Sequence, residues 1–512
     1  MRRTTSALLR ALVVVGIVAG VASVGVPRAS ADGPIVTGGG SSFVSLMVSQ
    51  WRADVAKPPY NIKINYTSAG SGFGRDKYSS GALDFGQSDI PFLPEELPLA
   101  NKRGPFVYVP VAAGAVAFMF NVMGTDGRRI TNLKLTADSA CKLFTVPDIK
   151  WNDPAILATN PGLPLPDRKV RPVVRSDRAG TSYVVSEYCQ QRAPAVWAAF
   201  KAFILSGNYG QDQYLGLGQP ISQWPTSYGA VSQAFASDGV ANATGANADS
   251  VTYIETGYTK VKGLPAALVQ NPGGVFTPPN PPNSTVALAY ATPNGNGTFK
   301  LSYAGGDQRA YFPSTYSYAI AQTKGFDPAK GAVLASYLNY AACKGQDRAE
   351  PLLYSRLSLP LVNIALDAIA QIPGAPPRVP TASCNAPAQV AVSNAPAVIK
   401  PGASAAATPG GSSKAAGSGT AAGSGAAASA GAGDPSAAAT GAADAAAADA
   451  AAADAAAADA AAGAGPSAQN AASEGSAGPE NSDVLFTFLL GAALVAIGTF
   501  VSRGTKSSWQ RR

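Results

Sequence analysis

Two short loops, far apart in the chain, carry the residues best suited to chemistry. One runs Ser68-Ala-Gly-Ser-Gly-Phe-Gly74 and leads on to Asp84-Phe-Gly-Gln-Ser-Asp89; the other runs Arg175-Ser-Asp-Arg-Ala-Gly-Thr181. A third segment, Gly38-Gly-Gly-Ser-Ser-Phe43, joins them. Each places glycines and hydroxyls just ahead of a helix-like stretch. Glycine lets the backbone approach a ligand closely, and a helix N-terminus offers unpaired N–H groups and a positive dipole end. Any one such segment is an ordinary helix start. Three of them, together with Arg175 and Asp89, describe a pocket for a small tetrahedral oxyanion.

The two charged residues refine that reading. Arg175 can offer a charge-assisted fork to an anion, and can also pair with Asp177. Asp89 read alone has a plainer reading, as a helix cap or as one half of an ion pair with a nearby base. Beside an anion it makes sense only if the ligand carries a proton, as hydrogen phosphate does at neutral pH. The carboxylate then accepts that proton's hydrogen bond. Sulfate has no proton to give, so acceptor would face acceptor and sulfate would be rejected. Arsenate shares phosphate's charge and protonation. Histidine is absent from all 512 residues, and no cysteine pair has zinc-site spacing. That removes the usual general base of Ser–His–Asp and Cys–His catalysis and the commonest nitrogen ligand for zinc.

The elements that must position these loops alternate between strand and helix. Ile35-Val-Thr37, Ile62 to Thr67 and Val170 to Val174 read as strands entering the three loops, with helices running on through Trp51, Ser80 and Gln191. Ser41 or Ser42 is expected to cap the first of these helices. Val107 to Val111 and Ala115 to Phe120 read as two buried strands, and Val333 to Ala342 and Leu361 to Ile372 as helices. The pattern predicts an α/β fold over residues 32–385, and that length exceeds one core, so two lobes are expected.

The ends of the chain have a different character. Residues 1–31 read as a signal peptide: Arg2 and Arg3, an apolar run from Ala11 to Val26, then Ala29-Ser-Ala31. Residues 386–483 are a low-complexity spacer of Ala, Gly, Ser and Pro that cannot bury a core. Within it Asp444, Asp449, Asp454 and Asp459 recur every five residues, a spacing that spirals round a helix and makes no single face. Residues 484–501 form an uncharged apolar run long enough to span a bilayer, and Arg503, Lys506, Arg511 and Arg512 in the tail 502–512 set the C-terminus inside. The expected location is therefore the cell membrane, single-pass, with the globular part extracellular and the C-terminus cytoplasmic. That part carries 29 basic and 23 acidic residues, a balance that suits an anionic ligand; no basic run interleaved with aromatics points to nucleic acid. Four cysteines in an exported chain favour two disulfides in one of three pairings. Cys141–Cys189 with Cys343–Cys384 is preferred because each bridge then stays within one lobe.

Over about residues 35–375 the chain resembles the extracytoplasmic phosphate-binding proteins of bacterial high-affinity phosphate ABC transporters, periplasmic-binding-protein-like and of type II. The segments that carry the resemblance occur in family order: Gly38 to Phe43, Ser68 to Gly74, Asp84-Phe-Gly-Gln-Ser-Asp-Ile-Pro91, Lys150-Trp-Asn-Asp-Pro154, Asn160 to Pro166 and Val174 to Ser182. Tyr253-Ile-Glu255 with Tyr258, and Leu357-Ser-Leu-Pro360, keep its rhythm later. The resemblance implies a hinged, two-lobed fold, lobe one about 35–112 with 312–385 and lobe two about 113–311. It implies a receptor that captures inorganic phosphate and delivers it to the permease subunits, with no catalytic residue, metal or cofactor. By residue, it makes Ser42, the Phe43 backbone, Ser71, Asp89, Arg175, Gly180 and Thr181 the phosphate ligands, with Asp177 holding Arg175. Ala179 stands where the family usually has serine, so one hydroxyl is missing, for which Ser182 or a water would compensate. The glycine-rich segment usual near residue 238 reads Ala236-Ser-Asp-Gly-Val240. A surface sensor or adhesion protein on the same fold, anchored by its C-terminal helix, is the alternative; a phosphatase is a more remote one.

Overall fold

Eight strands form one mixed sheet in the computed structural model, which describes residues 33–207, 209 and 218–392. They are β1 (Val36–Gly40), β2 (Ile64–Ser68), β3 (Phe85–Ser88), β4 (Phe106–Asn121), β5 (Arg171–Arg175), β6 (Ser232–Ala234), β7 (Ser250–Glu255) and β8 (Ser314–Gln322). Their spatial order is β2-β1-β3-β8-β4-β7-β5-β6. β1 is parallel to β2 and β3, and β5 is parallel to β6 and β7. Between these two parallel groups run β8 and β4, antiparallel to each other and to their outer neighbours.

The two runs expected around Val107 and Ala115 are one strand. β4 pairs with β8 from Phe106 to Ala115 and with β7 from Val116 to Asn121, so it belongs to both halves of the sheet. The register slips between Ser317 and Tyr318, opposite Pro110, Val111 and Ala112. Pro110 cannot donate to the ladder, and a bulge absorbs the missing bond without ending the strand.

The helices used below are α1 (Ser45–Val55), α2 (Ser71–Ser79), α3 (Ala137–Thr145), α4 (Gly180–Arg192), α5 (Ala236–Ala246), α6 (Pro328–Ala342) and α7 (Leu359–Ile369). Trp51 on α1 is buried, and its indole N–H donates to the Gly345 carbonyl at 2.9 Å, the satisfaction a buried ring nitrogen requires. A disulfide Cys141–Cys189 ties α3 to α4, with Cα atoms 5.8 Å apart, and Cys343–Cys384 closes the C-terminal part at 4.5 Å. This is the pairing the sequence favoured.

Two local expectations are corrected. The glycines of Gly38–Gly40 lie within β1 itself and serve close packing. A Cβ on Gly38 would sit 2.1 Å from the Phe85 ring, and one on Gly40, at φ +134°, 2.0 Å from the Gln87 carbonyl oxygen. Nor does Ser41 or Ser42 cap α1. That helix starts at Ser45 with Val44 as its N-cap and no capping side chain. Both serines therefore lie in the turn before it, buried and free to bond elsewhere.

The expected signal peptide (1–31), the membrane span (484–501), the tail and all of the spacer beyond residue 392 lie outside the described residues. Among the described residues no helix is long and apolar enough to cross a membrane.

Candidate ligand-binding site

The two parallel groups run in opposite directions, so their C-terminal ends face each other; four strand-to-helix turns from those ends carry every residue expected from the sequence. β1 delivers Ser41, Ser42 and Phe43; β2 delivers Ser71 as the first residue of α2; β3 ends just before Asp89. β5 ends on Arg175, and Gly180 and Thr181 open α4. The fourth turn, from β6, delivers Ser237 at the start of α5.

These helices share a feature. α1, α2, α4 and α5 all begin without a capping side chain, their N-cap residues being Val44, Gly70, Ala179 and Phe235. Elsewhere both kinds of start occur: Thr136 caps α3 and Asp327 caps α6, whereas α7 also begins without a capping side chain. A helix start lacks partners for its first N–H groups, so leaving four uncapped at one place keeps positive dipole ends directed at that place.

Asp89 is 4% exposed. Its Oδ1 accepts from Ser41 Oγ at 2.5 Å and from Ser317 Oγ at 2.7 Å, while Oδ2 accepts from Ser71 Oγ at 3.1 Å. It is neither a helix cap nor part of an ion pair. Burial raises its carboxyl above the ordinary range, against the three hydroxyls and the Arg175 charge, which lower it. A carboxylate has about four acceptor positions. Three are filled here, and the vacant direction is on Oδ2. Gly180 sits against that oxygen: a Cβ there would lie 2.7 Å from Asp89 Oδ2 and 2.6 Å from Ser71 Oγ. Only glycine brings the start of α4 so near.

Arg175 is 2% exposed and gripped in bidentate fashion by Asp177, Nε to Oδ1 at 2.8 Å and Nη2 to Oδ2 at 2.5 Å. Burial opposes its charge, but Asp177 outweighs that and raises its pKa further. The remaining nitrogen, Nη1, donates to Thr181 Oγ1 at 3.2 Å and, more weakly, to Ser237 Oγ at 3.5 Å. Phe43 is held from behind, its carbonyl accepting from Tyr354 Oη at 2.5 Å and its ring meeting Tyr354 edge-on.

Four residues of this neighbourhood escaped the sequence reading as contributors to it. Ser41 and Ser317 hold Asp89; Ser237 and Glu255 form a buried polar chain with Ser42. Ser182, the expected substitute for the hydroxyl absent at Ala179, is turned away and bonds Tyr253 Oη at 2.7 Å. Glu255 carried a readable signal, being the only ionisable carboxyl in the wholly buried strand Ser250–Glu255. Ser237 carried none, because its segment departs from the family pattern. Among the described residues no group of three or more His, Cys, Asp or Glu could hold a metal ion.

The chain as a whole is similar to known proteins. Residues 25–344 match the model of the PBP superfamily domain. The phosphate-binding protein PstS of Xylella fastidiosa (strain 9a5c) is 31% identical over 331 residues, 64% of this chain and 83% of that protein. Phosphate-binding protein PstS 3 of Mycobacterium tuberculosis (strain H37Rv) is 26% identical over 291 residues, 55% of this chain and 72% of that one. A solved phosphate-binding protein from Stenotrophomonas maltophilia is 17% identical, with a TM-score of 0.46 over 70% of this chain and 99% of that one. By the match across residues 25–344 and the kinship with the Xylella protein, the chain belongs to the PBP superfamily and, within it, to the PstS phosphate-binding proteins.

Proposed function

We propose that this chain is a receptor that captures inorganic phosphate and hands it to the permease subunits of an ABC transporter. The observation that carries the reading is the buried Asp89 carboxylate beside a clamped arginine, among uncapped helix starts. Arg175 and the helix N-termini favour an anion, and the vacant acceptor position on Asp89 Oδ2 favours one that still carries a proton. Ser42, the Phe43 backbone, Ser71, Gly180 and Thr181 are the proposed donors, with Asp177 in support. The reaction is capture and release, with no covalent step; the relatives are named as binding proteins. No observation favours the sensor, adhesion or phosphatase readings.

The rest of the proposal concerns how the receptor is built and held. Two lobes, about 35–112 with 312–385 and about 113–311, close on the ligand; the shared strand β4, and β8 beside it, support a hinge there. After removal of residues 1–31, the apolar run 484–501 anchors the protein in the cell membrane and the spacer 386–483 gives the outer domain reach.

Asp89→Asn tests the site. Labelled-phosphate binding with sulfate as competitor should show phosphate weakened by about 10- to 100-fold, or sulfate newly able to compete, since an amide can donate to an unprotonated oxygen. Parental affinity together with parental selectivity would remove Asp89 from its assigned role.

A further inference from the structure

One buried carboxyl near the site is not among the proposed ligands. Glu255, at the end of β7, is 1% exposed. Its Oε2 accepts from Ser237 Oγ at 2.9 Å, and its Oε1 has no hydrogen-bond partner. Ser237 is wholly buried and lies 2.9 Å from Ser42 Oγ, while its backbone N–H donates to that same oxygen at 3.1 Å. Glu255, Ser237 and the proposed phosphate ligand Ser42 thus form one line. The backbone is strained to make it: Ala236, next to Ser237, stands at φ +57° in the left-handed region, and its N–H is held by Asp177 Oδ1 at 3.0 Å. A non-glycine residue persists there only where its surroundings hold it, and such positions gather at functional sites.

A hydroxyl has one proton to give. With Glu255 ionised, Ser237 gives its proton to Glu255, Ser42 gives its own to Ser237, and neither hydroxyl is left to donate to an oxyanion. With Glu255 protonated the line reverses. Glu255 donates to Ser237, and the Ser42 and Ser237 hydroxyls are released to point at the ligand. We propose that Glu255 is a positioning residue of the phosphate site: as the neutral acid, acting through Ser237, it turns the Ser42 hydroxyl towards the ligand, and Ser237 stands in for the hydroxyl missing at Ala179.

The surroundings agree. A buried carboxylate with one oxygen unpaired is costly as the ion. Burial pushes the Glu255 carboxyl well above its ordinary range, against its own backbone N–H, the Ser237 bond and the Arg175 charge; Asp238 on α5 adds to the rise. Tyr258, which follows β7, and Tyr354 are the other titratable groups that sense its charge. Arg175 on β5 is the one facing cation among them, and Asp177 already holds it. An incoming anion adds negative charge beside Glu255 and favours the neutral acid further.

The inference rests on the phosphate-capture reading, and calorimetric titration with inorganic phosphate from pH 6 to 9 separates the two. The parent, Glu255→Gln, Glu255→Ala and Ser237→Ala are compared, with unfolding midpoints without phosphate as the control for folding. Ser237→Ala should weaken binding about tenfold. Glu255→Gln, which keeps the size and can still donate, should bind about tenfold more tightly than Glu255→Ala. Its log affinity should also fall less steeply with pH than the parent's, by up to about one unit per pH unit, the linkage of a single proton. Parental affinity in Ser237→Ala, or a parental pH slope in Glu255→Gln, overturns the relay and leaves phosphate capture standing. A parent that binds no phosphate overturns both.

Discussion

Two buried carboxyls border the site, and their partners divide the work between them. Asp89 is solvated by three hydroxyls and keeps one acceptor position open; Glu255 has one serine and an unpaired oxygen. In the proposed site the first accepts a hydrogen bond from the ligand's proton, and the second keeps its own proton. Between them Ala179 marks a departure from the family pattern, as the N-cap of α4 with no hydroxyl to offer. Ala179→Ser should add a cap and a donor together. Unfolding without ligand should rise by about 1 kcal/mol, and phosphate should bind a few-fold more tightly. A variant with neither gain would show that the hydroxyl's place has been filled. At this scale the sequence was legible where motifs were whole: Ser42, Phe43, Ser71, Asp89, Arg175, Asp177, Gly180 and Thr181 all come together. It was silent where a partner comes from afar. Ser317 reaches Asp89 across 228 positions, and Ser237 reaches Ser42 across 195. Ser41 was misjudged because a serine after a strand reads as a cap, and only the later start of α1, at Ser45, frees it.

The elements follow the period rules with one instructive exception. Pro110 and the small residues Ala112, Ala113 and Gly114 broke a long strand into two apparent ones, because a bulge cannot be read from composition. The helix read from the apolar run Val333–Ala342 in fact begins at Pro328, behind the Asp327 cap, because the periodic residues mark its buried face and not its start. α4 also carries a consequence for stability. Burial pushes the Glu187 carboxyl up to about 7, against the Tyr303 hydroxyl at 3.0 Å and the Lys300 charge, which lower it. A raised folded pKa means the neutral form is favoured in the fold. The stabilisation is therefore complete below the unfolded carboxyl range near pH 4.3 and is lost as pH rises through about 7. Glu187→Gln should thus gain on the parent by up to about 3 kcal/mol between pH 4 and pH 8, as read by denaturant unfolding. A difference that stays constant with pH would show that folding leaves the Glu187 pKa unchanged.

For the whole molecule, the proposed lobes meet through Arg178. Its carbonyl accepts from Gly72 N at 2.8 Å, and its guanidinium reaches Asp76 at 2.7 Å and Glu96 at 3.3 Å. Arg178 stands in lobe two of that division, and Gly72, Asp76 and Glu96 in lobe one. Because Arg178 is partly exposed, its ion pairs are worth about 1 kcal/mol or less. Arg178→Ala should accordingly speed phosphate release by about two- to fivefold while changing the association rate little, in a stopped-flow experiment. Unchanged release would mean that the pairs do not hold the closed form. Charge matters at this scale too: the segment 32–385 is net basic and the spacer net acidic, so the field that attracts an anion belongs to the binding domain. The most direct measurement is calorimetric titration of the phosphate-free full chain at neutral pH, first with phosphate and then with sulfate. The account predicts tight phosphate binding and no response to sulfate. Absence of phosphate binding, or equal binding of sulfate, would contradict it.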